Sequence, residues 1–166
     1  MQKRISDRKT NREPRRPAEA GRLAILVLDD DPQRHAEFAR QGRGHRIDHV
    51  WFVDDAIHRL RRRRYDLVCL DNDLETEGHL REGREVAAFI ASMPAEMRPR
   101  AVLIHSWNRP CAREMEDTLR RLYEPGVTLV RAEFGAFRLA GPSPACEGEA
   151  DLRQWIARNE AVGLTA

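Results

Sequence analysis

Aspartates carry the clearest chemical signal in this chain of 166 residues. Asp29, Asp30 and Asp31 follow one apolar run, and Asp71 follows another. Three carboxylates that lie close together cannot all stay ionised without a compensating cation. Oxygen ligands of this kind select hard cations, and Mg²⁺ (or Mn²⁺) also leaves room for a phosphate. We therefore predict that Asp29, Asp30 and Asp71 bind a metal; the alternative is that they are only helix caps and turn formers, as we expect of Asp31.

A second polar group follows a later apolar run and contains His105, Ser106 and Asn108. A histidine beside an acidic site can act as a general acid or base near neutral pH. We expect His105 to transfer a proton there and Asn108 to contact a phosphate. The alternative for His105 is a structural histidine held by hydrogen bonds.

Arg34 and His35 lie about one helical turn beyond the first aspartates. A guanidinium can hold a phosphate through two parallel hydrogen bonds. We therefore predict that both residues bind phosphate; the alternative is that they are ordinary polar surface residues.

Short apolar runs alternate with amphipathic stretches from Leu23 onward, which predicts five strands and five helices. The predicted strands are Leu23–Leu28, Ile47–Val53, Tyr65–Leu70, Ala101–Ile104 and Val127–Val130. The predicted helices are Pro32 to about Gln41, one capped by Asp54 or Asp55, one containing Val86 to Ile90, one with Met115, Leu119 and Leu122 on its inner face, and one starting at Asp151. This alternation indicates an α/β fold with a doubly wound parallel sheet. Ligands of such sheets bind outside the carboxyl ends of the strands, where the polar groups lie.

Charge divides the chain into two parts. Residues 1–22 carry a net charge of +5 and the remaining residues −3. We expect 1–22 to be a disordered basic tail and 23–166 to be a single domain. The tail offers weak contacts to nucleic acid phosphates, or is only a solubilising leader.

Several classes of protein are excluded by composition. The apolar runs are too short to cross a membrane, and the polar start of the chain does not resemble a signal peptide. The three cysteines, Cys69, Cys111 and Cys146, form no C-x-x-C pair. This argues against a disulfide scaffold or a zinc knuckle and favours a reducing cytoplasm.

The motifs resemble those of the receiver superfamily of response regulators. The similar segments are LDDDP at 28–32, LD at 70–71 and HS at 105–106. The resemblance implies a flavodoxin-like five-stranded sheet of order 2-1-3-4-5 with helices on both faces. It also implies that Asp29 and Asp30 bind Mg²⁺, that Asp71 accepts a phosphoryl group and that Ser106 contacts that group. A receiver ordinarily has a lysine after its fifth strand, whereas this chain has no lysine after Lys9.

A closer resemblance is to the cyclic-phosphate processing branch of that superfamily. Its motifs are similar to DDDPQRHAEF at 29–38, YDLVCLDNDL at 65–74 and IHSWNRP at 104–110, followed by Met115. Asn72 stands where that branch has histidine, and Arg109 is inserted before Pro110. The resemblance implies a metal-dependent phosphoesterase acting on cyclic phosphates, of a small molecule or of a nucleotide end. The catalytic residues would be Asp71 and His105.

Two alternatives remain open at this point. The chain could be a signalling receiver that is phosphorylated on Asp71. It could also be a degenerate receiver that only binds a protein or a nucleotide. Neither its oligomeric state nor its pathway follows from the sequence.

Overall fold

A central parallel sheet organises the computed structural model, which describes residues 22–75, 81–122 and 128–131. The strands are β1 (Ala24–Leu28), β2 (Arg46–Val50), β3 (Leu67–Leu70), β4 (Ala101–Ile104) and β5 (Thr128–Arg131). Their order in the sheet is β2-β1-β3-β4-β5, and every neighbouring pair is parallel. The predicted parallel α/β fold is confirmed, with its first four strands in the expected order 2-1-3-4.

Within the described ranges, four α-helices cover the two faces of the sheet: α1 (Pro32–Gln41), α2 (Val53–Arg62), α3 (Gly83–Ser92) and α4 (Arg109–Leu122). A short 3₁₀ helix, Ala95–Met97, precedes β4. None of the helices within the described ranges is long and apolar enough to cross a membrane.

Alternate residues of the buried strands face opposite layers, as the strand period of two requires. Ile25, Val27 and Cys69 pack with Phe38 of α1 on one face. On the other face, the even-numbered strand residues pack against the inner sides of α2, α3 and α4. Strands that are buried on both faces read as continuous apolar runs, which explains why these strands were visible in the sequence.

The first helix follows the sequence prediction closely. Asp31 is its N-cap and accepts a hydrogen bond from the backbone N–H of Gln33, while Pro32 occupies the first turn. Its C-cap is Gly42, as expected. The cap at the start of α1 fixes where the chain turns away from the aspartates.

The predicted start of α2 is wrong by two or three residues. Strand β2 ends at Val50, and Phe52 is the N-cap of α2, without a side-chain cap bond. Val53 was predicted to end the strand, but it is buried and begins the helix. Asp54 and Asp55 therefore lie in the first turn of α2, where their negative charges interact favourably with the positive end of the helix dipole, but neither residue is the N-cap.

Strand β3 is also shorter than predicted. Tyr65 and Asp66 precede it instead of belonging to it. The Tyr65 hydroxyl donates to Asp48, and an Asp66 carboxylate oxygen accepts from the backbone N–H of Ala24, at 2.8 Å. These two side-chain hydrogen bonds fix the position of the residues that lead into β3. The predicted tail, the helix expected from Asp151 and Cys146 lie outside the described residues.

Candidate functional site

The ends of three neighbouring strands are held level by backbone hydrogen bonds that continue the sheet by one step. The N–H of Asp71 donates to the carbonyl of Leu28 at 3.0 Å, and the N–H of His105 donates to that of Leu70 at 3.0 Å. The N–H of Asp29 donates to the carbonyl of Val50 at 3.2 Å. Asp29, Asp71 and His105 therefore occupy adjacent positions at the carboxyl edge of the sheet.

A compact carboxylate cluster forms at this edge. One oxygen from each of Asp29, Asp30 and Asp71 lies within 4.8 Å of the others. Asp29 and Asp71 are buried, and the side chain of Asp30 is 16% exposed. The three residues predicted to bind a metal are thus brought together.

The guanidinium of Arg34 joins all three carboxylates. Its Nε donates to Asp29 at 2.8 Å, and one terminal nitrogen donates to Asp30 at 3.1 Å and to Asp71 at 2.6 Å. Arg34 therefore neutralises part of the negative charge of the cluster. Its guanidinium does not extend toward the solvent, where the sequence prediction had it binding a phosphate. Charge-assisted bonds of this kind are about twice as strong as neutral ones.

The surroundings of Asp71 raise the pKa of its carboxyl group strongly. Desolvation by burial raises its pKa from 3.8 to about 6, despite the opposing effect of the Arg34 charge. Its Oδ1 accepts a hydrogen bond from the N–H of Asn72 at 2.7 Å, and a hydrogen bond with Ser106 also lowers the pKa. Such a carboxylate changes its protonation state close to neutral pH, which suits a nucleophile or a base.

His105 lies beneath the cluster. It is completely buried, its Nδ1 is 3.7 Å from Asp29, and its ring packs against Phe38. Desolvation lowers its pKa to about 3, so the imidazole is neutral at physiological pH. The structure therefore places this predicted proton carrier behind Asp29 and away from the open side of the site.

His35 also faces inward. Its Nε2 contacts the backbone carbonyl oxygen of Asp29 at 2.9 Å, and its Nδ1 contacts Nδ1 of His49 at 2.7 Å. The ring packs on Trp51, with the two centroids 4.3 Å apart. Both ring nitrogens are engaged, so His35 holds the backbone at Asp29 in place instead of reaching toward a phosphate.

The turn after β4 is fixed by the residues predicted to bind phosphate. The Ser106 hydroxyl accepts from the N–H of Asn108 at 3.1 Å. The amide oxygen of Asn108 accepts from the N–H of Cys111 in the first turn of α4, at 3.2 Å, and its Nδ2 donates to Asp73 at 3.1 Å. Asn108 therefore caps α4 and ties two strand ends together.

An open cleft of about 400 Å³ lies above the carboxylates. Its lining residues are Asp30, Asp31, Pro32, Arg34, Asp71, Asp73, Glu75 and Trp107. The sequence prediction assigned no role to Asp73, Glu75 or Trp107. Trp107 follows Ser106 directly, but the strand-end rule considers polar side chains only and therefore passes over it.

The sequence prediction also missed Gly83, which packs against the backbone of Asp71. A Cβ at this position would lie 1.8 Å from the carbonyl oxygen of Asp71. The N–H of Gly83 also donates to the carbonyl of Asn72 at 3.0 Å. The start of α3 thus packs directly on the peptide that carries Asp71, which only glycine allows.

The donor set suits a hard divalent cation. All three converging side chains offer carboxylate oxygens, and two of them, Asp30 and Asp71, line the cleft. Mg²⁺ prefers such oxygen ligands and keeps part of its water shell. The cluster could therefore hold Mg²⁺ or Mn²⁺ on the open side, where the cleft admits water and a phosphate.

Comparison with known sequences identifies one family. The sequence model of the cyclic-phosphate processing receiver domain matches residues 24–121, which include every residue of the cluster and the turn after β4. No curated protein sequence matches the chain significantly.

Solved receiver domains share the fold at low sequence identity. A CheY-like response regulator receiver domain from Methylobacillus flagellatus is 18% identical, with a TM-score of 0.52, over 81% of this chain and 98% of its own. The receiver domain of a sensor histidine kinase from Pseudomonas aeruginosa is 18% identical, with a TM-score of 0.53, over 82% and 98%. That structure holds a magnesium ion coordinated in its active site cleft.

Proposed function

The chain belongs to the cyclic-phosphate processing receiver domain family, and from this premise we propose that it is a metal-dependent phosphoesterase that opens cyclic phosphates. The observation that carries the proposal is the cluster of Asp29, Asp30 and Asp71 at the floor of an open cleft. The substrate would be a phosphate-containing small molecule or a nucleotide end.

The metal would be held by these three carboxylates. When bound, Mg²⁺ or Mn²⁺ would neutralise the negative charge of the phosphoryl oxygens. The magnesium ion in the cleft of the Pseudomonas aeruginosa receiver domain supports this part of the proposal.

Asp71 is the residue to which we assign the reaction. Its carboxylate faces the cleft, and its pKa of about 6 leaves it mostly ionised at neutral pH. It either attacks phosphorus itself or accepts the proton of the attacking water. If Asp71 attacks phosphorus, a ring P–O bond breaks and an acyl phosphate ester forms on Asp71; water then cleaves the bond between Asp71 and phosphorus, protonates the freed ester oxygen and leaves a phosphomonoester. If Asp71 instead takes a proton from the attacking water, the water oxygen bonds to phosphorus as the ring P–O bond breaks, and that proton passes to the leaving ester oxygen, which gives the same product.

Arg34 would keep the phosphate-binding role predicted from the sequence, whereas His105 takes a different one. A metal held by the carboxylates would compete with Arg34 for their oxygens, and the guanidinium donors freed in this way would hold a phosphoryl oxygen. His105 acts as a positioning residue, because its buried ring supports Asp29 and does not line the cleft.

A hydrolysis assay tests the proposal. Purified protein with Mg²⁺ should convert a cyclic phosphate to a phosphomonoester, and excess EDTA should stop the reaction. Asp71→Asn should remove turnover, whereas Asp55→Asn, on the exposed side of α2, should leave it unchanged. Turnover that survives in Asp71→Asn would contradict the proposed role of this residue.

A second candidate is a signalling receiver phosphorylated on Asp71. The hydrogen bond between Asp71 and Ser106 favours it, since the resemblance assigns these residues to the phosphoryl acceptor and its hydroxyl contact. The absence of lysine after Lys9 weighs against it. An acyl phosphate on Asp71 after treatment with acetyl phosphate, without turnover of cyclic phosphates, would favour this candidate.

We place either activity in the cytoplasm, in keeping with the free Cys69 and Cys111.

A further inference from the structure

Trp107 is a large apolar side chain in an otherwise polar cleft. It is 71% exposed, more than Trp51 or Phe52, which are the other large exposed hydrophobic residues within the described ranges. A large apolar side chain left in water forgoes the favourable burial of its surface. An indole in this position is therefore available to a ligand of the cleft.

The backbone presents Trp107 rigidly. Ser106 and Asn108 on either side of it are joined by the hydrogen bond between the Ser106 hydroxyl and the Asn108 N–H. Asn108 also caps α4 and donates to Asp73. Binding of a ligand to the indole therefore costs little conformational entropy, because the turn that carries Trp107 is already ordered.

The residues that line the cleft limit the chemical class of ligand that could pack on the indole of Trp107. Among the described residues that line the cleft, Pro32 is the only apolar side chain beside Trp107, which is too little for a lipid chain. The acidic lining residues include Asp73 and Glu75, and the one cation among the lining residues that the structure describes, Arg34, is bound to carboxylates. This acidic rim would repel the many further phosphates of a long polyanion such as RNA, whereas the single charge of a cyclic phosphate would be neutralised by the proposed metal. A flat, uncharged aromatic ring is accepted, because it stacks on indole and can donate its amino groups to the carboxylates.

From these observations we infer that Trp107 is the base-stacking surface of the site and that its substrate is a single nucleoside cyclic phosphate. The inference rests on the proposed phosphoesterase function and names its substrate class. The phosphate would lie over Asp71 and the base on the indole of Trp107, two residues that line the same cleft. The volume of about 400 Å³ falls in the range of cofactor and nucleotide pockets.

Paired substrates test the inference. Hydrolysis of adenosine 2′,3′-cyclic phosphate is compared with that of glycerol 1,2-cyclic phosphate, which has the same five-membered ring and no base. Trp107→Ala should raise KM for the nucleoside substrate by roughly 5- to 150-fold, the usual range for loss of one stacking contact, and leave KM for the glycerol substrate unchanged. Trp107→Phe should retain most of the affinity. Phe52→Ala, an exposed aromatic residue outside the cleft, should change neither.

A binding measurement separates failure of this inference from failure of the proposed function. Adenosine 3′-monophosphate with Mg²⁺ should quench tryptophan fluorescence, and Trp107→Phe should remove that quenching while calorimetry still detects binding. This result would support the stacking site even if no cyclic phosphate is turned over. Equal effects of Trp107→Ala on both substrates, no effect on either, or no quenching that depends on Trp107 would overturn the inference.

Discussion

Replacing Asp71 by asparagine is expected to stabilise the metal-free protein at alkaline pH. Desolvation raises the pKa of Asp71 from 3.8 to about 6. Because this pKa is higher in the folded than in the unfolded chain, protonated Asp71 favours folding. Its contribution is fully present below about pH 3.8 and is lost as the pH rises through about 6. A pKa difference of about 2 corresponds to a loss of about 3 kcal/mol in the free energy of unfolding.

Asp71→Asn has no charge to desolvate, so it avoids this loss. Its free energy of unfolding should exceed that of the wild type by up to about 3 kcal/mol at pH 8 and match it at pH 4. Urea unfolding in EDTA at both pH values measures the difference. Asp55→Asn serves as the control and should differ from the wild type by no more than about 0.5 kcal/mol, as surface substitutions do.

Mg²⁺ provides the second half of this experiment. A ligand that binds only the folded state stabilises it in proportion to the logarithm of its concentration. At pH 8, Mg²⁺ should stabilise the wild type and have a much smaller effect on Asp71→Asn. The reasoning is refuted if Asp71→Asn is less stable than the wild type at pH 8 without metal, or if the difference between the two is the same at pH 4.

Three further substitutions probe the surroundings of Asp71. Arg34→Gln removes the guanidinium that competes for the carboxylates, so Mg²⁺ affinity by calorimetry should rise about tenfold or more, the equivalent of one charge-assisted hydrogen bond; weaker binding would contradict this. Gly83→Ala places a Cβ 1.8 Å from the Asp71 carbonyl oxygen and should lower stability in thermal denaturation by about 3 kcal/mol, whereas an unchanged Tm would show that α3 does not pack there as described. Asn108→Ala removes the cap of α4 and should lower the free energy of urea unfolding by about 1 kcal/mol; an unaltered stability would leave Asn108 with a role in ligand binding alone.

The sheet was predictable because its central strands are buried on both faces. Ala101–Ile104 was predicted with the bounds that the structure gives to β4. The predicted strand ends are wrong where side-chain contacts with other elements, and not the apolar pattern of the strand itself, determine where the strand begins or ends. Val53 looks like strand in the sequence but joins the buried side of α2, and Tyr65 leaves the ladder to donate to Asp48.

The site was predictable to the extent that it follows strand ends. The rule that polar residues after parallel strands converge found Asp29, Asp30 and Asp71, and the structure brings them together. It could not show that His35 turns inward, since this depends on the pairing of β1 with β2, which places His49 under α1. Nor could it reveal the burial of His105, because the sequence does not record that Phe38 lies across it.

The most direct test of the account is ³¹P NMR of the protein with Mg²⁺ and a panel of cyclic phosphates, recorded beside Asp71→Asn. A second sample contains acetyl phosphate in place of the panel. The account predicts new phosphomonoester signals with the wild type that are absent with Asp71→Asn. A protein-bound acyl phosphate signal without any phosphomonoester would contradict it and identify a signalling receiver, and unchanged spectra in both samples would contradict it in favour of a binding module.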